Sequence, residues 1–476
     1  MGGAERPRRT PRRTFLLAGL SAALPAATAP RIAIVGGGIA GLYTSWLLKR
    51  AGIASTIYES SNRTGGRMFS AKGVAAPEVV TELGGEFVDT NHAEILGLAK
   101  HFGLDLIDTG ADSETGLQSE AFLFGGAPRG AGEIAAEFRQ VAQRMRDDIR
   151  RSGGRGMRRF DRMSIAGYLD SIGMRGWLRS LLDVAYRTEY GMDVEEQSAM
   201  NLLTLIAPEL AGDRIRLFGD SDERYKILGG NQGVPDALAA ELTDAIERGH
   251  QLESIAERGR GYRLSLRKPG GGAMEVDADV VVMTVPFSIL RDLDLRVRLP
   301  KKKLRAIREL GYGTNAKIFF GFERRLWRER GHTGALFTDT DCQLVWDSSR
   351  LQPTEMGALT MLMGGRAGIA VGEGSPESHE RRLLPEVEKV WSGVTALRRG
   401  APKRFHWPSH PHTRAAYASY KVGQWRDIRG QEFPAVGNLH FAGEHCSLAD
   451  QGYMEGGAET AKRVAAAIAR KLGRRA

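Results

Sequence analysis

Cysteine is nearly absent: Cys342 and Cys446 are the only two in 476 residues. A disulfide scaffold is thereby excluded, and closely spaced thiolates are not available to build a metal site. Both are expected to be buried free thiols. Histidine offers no metal site either. His406, His410 and His412 fall in the proline-punctuated stretch His406-Trp-Pro-Ser-His410-Pro-His412, without helical i, i+4 spacing or adjacent carboxylates. Beyond the N-terminal region no run of 18 uninterrupted apolar residues occurs, so no stable membrane anchor is expected. The C-terminal helix expected over Ala458 to Leu472 runs into Gly-Arg-Arg-Ala rather than an apolar tail. No repeat of roughly 20 to 50 residues is visible.

What is there describes a globular enzyme-like chain, with 42% hydrophobic residues, 26% charged residues and 60 glycines. The length exceeds the roughly 250 to 300 residues at which single cores stop growing, so two intimately joined domains are expected. The formal charge is +10, but Arg6, Arg8, Arg9, Arg12 and Arg13 against Glu5 leave about +6 beyond residue 29. Nine arginines lie between Arg139 and Arg162. Asp147, Asp148 and Asp161 interrupt them, and Phe138 and Phe160 are the only aromatics nearby. This reads as a solvated helical face, not a nucleic-acid site.

Residues 11–17, Pro-Arg-Arg-Thr-Phe-Leu-Leu, followed by an Ala/Leu run to about residue 29, resemble a twin-arginine export signal. Residues 1–29 are therefore expected to be a signal peptide, and the protein to be periplasmic or extracellular. Ala27-Thr28-Ala29 has the small-x-small form of a cleavage site, although Pro30 would disfavour a cut directly before it.

The apolar run Arg31-Ile-Ala-Ile-Val35 suits a buried parallel strand, and Gly36-Gly37-Gly38-Ile39-Ala40-Gly41 opens a helical pattern. Gly36 permits the turn, Gly38 lets the backbone approach a pyrophosphate and Gly41 allows close helix packing. A second strand, Ser55 to Tyr58, ends in Glu59, 23 residues after Gly36 and suited to an unphosphorylated ribose. Asn62-Arg-Thr-Gly65-Gly66-Arg67 follows. Three further stretches complete the pattern: Ile227-Leu-Gly-Gly-Asn231 with Val234-Pro-Asp-Ala-Leu238, then Ala278 to Pro286, then Phe441-Ala-Gly-Glu444-His with Gln451-Gly-Tyr453-Met454-Glu-Gly456.

Together these motifs resemble the flavin-containing amine oxidase family from about Arg31 to Leu472. The resemblance implies an α/β fold: a discontinuous Rossmann-like FAD-binding domain (31–91, 225–292, 430–472) with a mixed α+β substrate-binding domain (92–224, 293–429). The first insert reads mostly helical, over Ala131 to Ile149 and Ile165 to Asp183, and the second has strand-like runs at Lys317 to Phe322 and Gly357 to Met363. For the cofactor, the resemblance implies that Gly36, Gly38, Gly41, Gly66 and Glu59 hold the nucleotide, and that Arg67 meets the diphosphate or flavin-side phosphates. Leu252 would meet adenine, Glu444 the ribityl or pyrophosphate part, and the Met454 backbone N–H the flavin pyrimidine carbonyl. Ala416 stands where some family members attach flavin through cysteine, so FAD is expected to be noncovalent.

For catalysis, the resemblance makes Tyr417 and Tyr453 the walls of an aromatic slot that holds a neutral amine, with the cofactor performing the redox step. Lys317, a lysine on an apolar strand that needs a partner, resembles the residue holding a water against flavin N5. The implied reaction converts an amine and O2 into imine or aldehyde, ammonia or a shorter amine, and hydrogen peroxide. Asp89, Glu86 and Glu189 are candidates to bind a second cationic end of the substrate. An L-amino acid oxidase of the same fold is the alternative, and a non-enzymatic flavin-binding protein a remote one. Glu82-Leu-Gly-Gly-Glu86-Phe-Val-Asp89 resembles the monoamine and polyamine oxidases at this point.

Overall fold

Ile32–Val35 is buried on every residue and occupies the centre of a five-stranded parallel sheet. The computed structural model describes residues 1–3, 29–154, 156–211 and 214–474; the twin-arginine stretch lies outside them. Across the sheet the strand order is Ile246–Arg248, Thr56–Glu59, Ile32–Val35, Val280–Met283 and Leu439–Phe441. Ile34 pairs with Ile57 on one side and Val282 on the other. Because side chains alternate along a strand, Ile32 and Ile34 serve one face and Ala33 and Val35 the other. The first face is covered by the helices Ile39–Arg50 and Met454–Lys471. Leu252, Leu264 and Leu266 of a separate four-stranded sheet cover the second.

The second large sheet has seven strands, with Ala316–Phe322 between Arg398–His406 and Gly357–Met363. Its pairings are antiparallel except for His332–Thr338 against Gln118–Phe124. Every residue of Ala316–Phe322 is buried, which explains why its sequence is a continuous apolar run broken only by Lys317 and Gly321. From Arg31 onward the chain forms one compact unit. No helix among the described residues is long and apolar enough to cross a membrane.

The helix expected from Ile165 to Asp183 is instead two helices, Ile165–Ser171 and Gly176–Tyr190. Gly173 has φ +79° and Gly176 φ +66°, a left-handed backbone that an α-helix cannot continue through. The break re-aims the second helix so that its C-terminal residues, Thr188 and Glu189, reach the cavity described next.

Candidate active site

A cavity of about 860 Å³ opens at the carboxyl ends of the parallel strands, where Val35, Glu59, Thr284 and Gly443 line it. This is where ligands bind in open α/β sheets. Lys317, Phe337 and Trp346 of the seven-stranded sheet form the opposite wall.

At the nucleotide end the glycines are required sterically. Gly36 has φ +109°, and a Cβ there would lie 2.4 Å from Thr284 Oγ1. A Cβ on Gly41 would lie 1.9 Å from the Gly36 carbonyl oxygen, so the turn closes only without one. A Cβ on Gly66 would come within 3.2 Å of Gly38 Cα. The two backbones therefore touch, and the cavity floor carries no side chain there. Gly38, Ile39 and Ala40 line the cavity, so the helix Ile39–Arg50 presents its N-terminus to it, a position that favours anions. Glu59 is locked by Gly37 N–H to Oε2 (2.6 Å) and Ser61 N–H to Oε1 (2.7 Å). Leu252, His410 and His412 line the same end, and a Ser60 Oγ to His412 Nδ1 hydrogen bond of 2.9 Å ties the loop of the two histidines to the residue after Glu59.

In the middle, Arg67 Nη1 donates to the Ala416 carbonyl (2.8 Å) and to Glu444 Oε1 (2.5 Å). Glu444 also accepts from Ala418 N–H (3.2 Å) and Gly452 N–H (2.9 Å). Arg67 and Glu444, expected to face the cofactor separately, thus form one partly buried clamp that binds the segments carrying Tyr417 and Tyr453. Met454 lines the cavity at the first residue of the last helix.

The two tyrosines converge on one residue. Tyr417 OH donates to the Glu189 carbonyl (2.6 Å), and Tyr453 OH donates to Glu189 Oε1 (2.8 Å). Burial, reinforced by Glu189, pushes both phenols well above their ordinary range, so they stay neutral donors. Burial raises the Glu189 carboxyl to about 7, opposed by the Tyr453 hydrogen bond and assisted by Asp89. Asp89 lines the cavity, with Oδ1 accepting from Glu223 N–H at 2.8 Å.

Glu86 departs from its expected role. Its side chain is only 2% exposed, with Oε1 on Lys226 Nζ (2.8 Å) and Oε2 on Lys317 Nζ (3.2 Å). Both oxygens are committed to lysines of the chain, so Glu86 is not a substrate carboxylate. Lys317 Nζ also donates to the Glu82 carbonyl (2.9 Å) and the Gly84 carbonyl (2.8 Å). Those bonds answer the requirement for a partner raised by its apolar strand.

Three residues escaped the sequence reading. Lys226 sits between Tyr225 and Ile227 in a short strand, and the argument applied to Lys317 would have found it. Glu223 and Glu120 line the cavity but carry no local sequence signal. Burial is the main cause that raises Glu223 to about 8, followed by Glu189, Asp89, Glu120 and Glu86. The four largest charge effects on it all come from other carboxylates. The cavity arginines do not offset this: Arg224 binds Asp108 through two 2.8 Å bonds, and Arg350 binds Glu114 at 2.7 Å.

Comparison with known proteins agrees with this geometry. The flavin-containing amine oxidase of Oncorhynchus mykiss is 21% identical over 93% of this chain and 86% of its own length. An L-amino-acid oxidase of Siganus canaliculatus is 24% identical over 93% of this chain and 85% of its own. The fold matches putrescine oxidase bound to putrescine with a TM-score of 0.80, at 20% identity over 92% of this chain and 98% of that one. The model of the flavin containing amine oxidoreductases matches residues 39–469, nearly the whole unit that builds the cavity, and the chain belongs to that family.

Proposed function

We propose that this flavin-dependent amine oxidase acts on amines bearing a second cationic group, with noncovalently held FAD and with dioxygen as the final oxidant. The observation that carries the reading is the carboxylate set of the substrate end: Glu189, Glu223, Glu120 and Asp89 face one cavity in which Arg224 and Arg350 are already paired with Asp108 and Glu114. Carboxylates gathered around one cavity repel one another, and a dication relieves that repulsion. Putrescine, the ligand of the solved relative, has this chemistry.

The residues present fit a flavin dinucleotide: a side-chain-free glycine floor, a helix N-terminus for the diphosphate and Glu59 at the strand end. When bound, the flavin supplies the acceptor for the hydride leaving the carbon next to nitrogen. The chain supplies the rest. Tyr417 and Tyr453, held by Glu189, form the walls against which the neutral amine is oriented. The Arg67–Glu444 clamp fixes the separation of those walls. Ala416 offers no thiol for covalent attachment. Loss of the hydride and of the nitrogen proton leaves an imine, which water hydrolyses to aldehyde and ammonia; two electrons reduce dioxygen to hydrogen peroxide.

Oxidation of L-amino acids would need a free cation for the α-carboxylate, and the bidentate Arg224–Asp108 pair argues against one there. An oxygen-uptake screen of the purified holoprotein against monoamines, diamines, polyamines and L-amino acids decides between them. Diamines or polyamines should show the highest kcat/KM. Exclusive turnover of L-amino acids would overturn the substrate reading, and turnover with artificial acceptors alone would overturn the role of dioxygen. The N-terminal signal would carry the folded protein out of the cytoplasm; retention of an Arg12→Lys/Arg13→Lys variant, against export of the parent, tests that.

A further inference from the structure

Two lysines share a single carboxylate in the cavity wall. Lys226 Nζ binds Glu86 Oε1 at 2.8 Å and Lys317 Nζ binds Glu86 Oε2 at 3.2 Å. The three side chains expose 5%, 7% and 2% of their surface for Lys226, Lys317 and Glu86 respectively. Lys317 and Glu86 line the cavity, whereas Lys226 stands behind them. It is boxed in by the Ser348 carbonyl (3.3 Å) and by the Phe87 ring, whose centroid is 5.7 Å away.

We propose that Lys226 is a positioning residue for Lys317, acting through Glu86: it claims one carboxylate oxygen, fixes that side chain against the wall, and shares a negative charge that Lys317 would otherwise hold alone. One carboxylate cannot balance two buried ammonium groups, and the uncompensated charge falls on a site where desolvation is costly. The shorter bond goes to Lys226. The groups that face Lys317 are Glu86, Glu82 and Lys226. The Glu82 carboxyl, however, is engaged elsewhere, by Ser70 Oγ (2.7 Å) and Asn231 N–H (2.8 Å). Only its backbone carbonyl meets Lys317. Consistent with this arrangement, burial moves Lys317 below its ordinary value, Glu86 and Glu82 oppose the shift and Lys226 adds to it.

The inference concerns the charge of Lys317 itself, so its test does not depend on which amine is the substrate. In the holoprotein, the rate at which cyanate carbamylates Lys317 is followed by peptide mass spectrometry from pH 6 to 10. The midpoint reports the loss of the proton. Lys226→Met removes both the competitor for Glu86 and the repelling charge, so the midpoint should rise by about one unit or more. Lys226→Arg keeps the charge and should stay near the parent. Glu86→Gln removes the anion and should lower the midpoint; if Lys226→Met does not fold, Lys226→Gln, which also removes the charge, is read in its place and should raise the midpoint. An unchanged or lowered midpoint in Lys226→Met overturns the proposal. So does an equal rise in Lys226→Arg, an unmoved midpoint in Glu86→Gln, or a parent Lys317 that stays unreactive up to pH 10. A purely structural role for Lys226 would lower the melting temperature and leave these midpoints in place.

Discussion

Glu189 ties substrate selection to pH in a way that can be calculated. Its carboxyl is raised to about 7, with burial as the largest cause, so the anionic form that a cationic tail requires is scarce below that value. Between pH 6 and pH 8 the ionised fraction climbs from about one tenth to about nine tenths. A substrate whose distal ammonium pairs with Glu189 should gain up to about tenfold in affinity over that interval, and water in the cavity reduces this to roughly three- to tenfold. The reacting nitrogen must also become neutral, which adds a pH dependence of its own. That contribution cancels when the KM of a diamine is divided by the KM of a monoamine of equal length. The ratio should therefore fall about three- to tenfold from pH 6 to pH 8 in the parent. Glu189→Gln keeps an oxygen for the Tyr453 hydroxyl, now 2.8 Å from Oε1, so the slot geometry is retained while the charge is lost. The ratio should then be flat near pH 7 and stay at its acid-side value, with any remaining slope centred near 8, where Glu223 ionises. Steady-state oxygen uptake at five or six pH values provides the ratio. The same fall in parent and variant would refute the reasoning, because the tail would then be bound without the Glu189 charge.

The remaining predictions address the cofactor, the reaction with oxygen and stability. Gly41→Ala would force a Cβ to within 1.9 Å of the Gly36 carbonyl; it should cost about 1 to 3 kcal/mol or more and sharply weaken flavin retention, measured by equilibrium dialysis and melting temperature. Gly97→Ala, in a helix with nothing within 4 Å of the added methyl, should stabilise by about 0.5 to 1 kcal/mol and serves as the control. Acid precipitation should release the flavin colour into the supernatant, because residue 416 is alanine; colour left in the pellet would mean attachment at another residue. Lys317→Met should slow reoxidation of the reduced flavin in stopped-flow mixing with oxygen far more than it weakens flavin binding, and an unchanged rate would remove Lys317 from that step. Burial raises Glu82 from 4.5 to about 7, so the folded chain binds more protons than the unfolded one between those values. Its contribution to stability is lost as pH rises through that window, and Glu82→Gln should flatten the fall in melting temperature between pH 5 and 8.

The sequence by itself determined the parts whose chemistry is local. A strand, a glycine turn and a helix must follow one another in the chain to cradle a diphosphate, and a Cβ at Gly41 is excluded by the Gly36 carbonyl five residues earlier. The Gly-Tyr453-Met454 stretch is equally local, since Tyr453 directly precedes the helix Met454–Lys471. Lys317 declared itself because a lysine amid Ile, Phe and Phe is anomalous on any strand. Tertiary structure decided which carboxylates are free. Glu86 and Glu189 look alike as isolated acids in the chain, but Glu86 meets Lys226 from 140 residues away and Lys317 from 231 away. Among the described residues, the side-chain hydrogen bond of Glu189 is to a phenol, 264 residues distant. Arg67 and Glu444, 377 residues apart, became a clamp for the same reason. Ion pairing depends on distances of a few ångström between groups that the fold brings together, and no spacing along the chain encodes those distances.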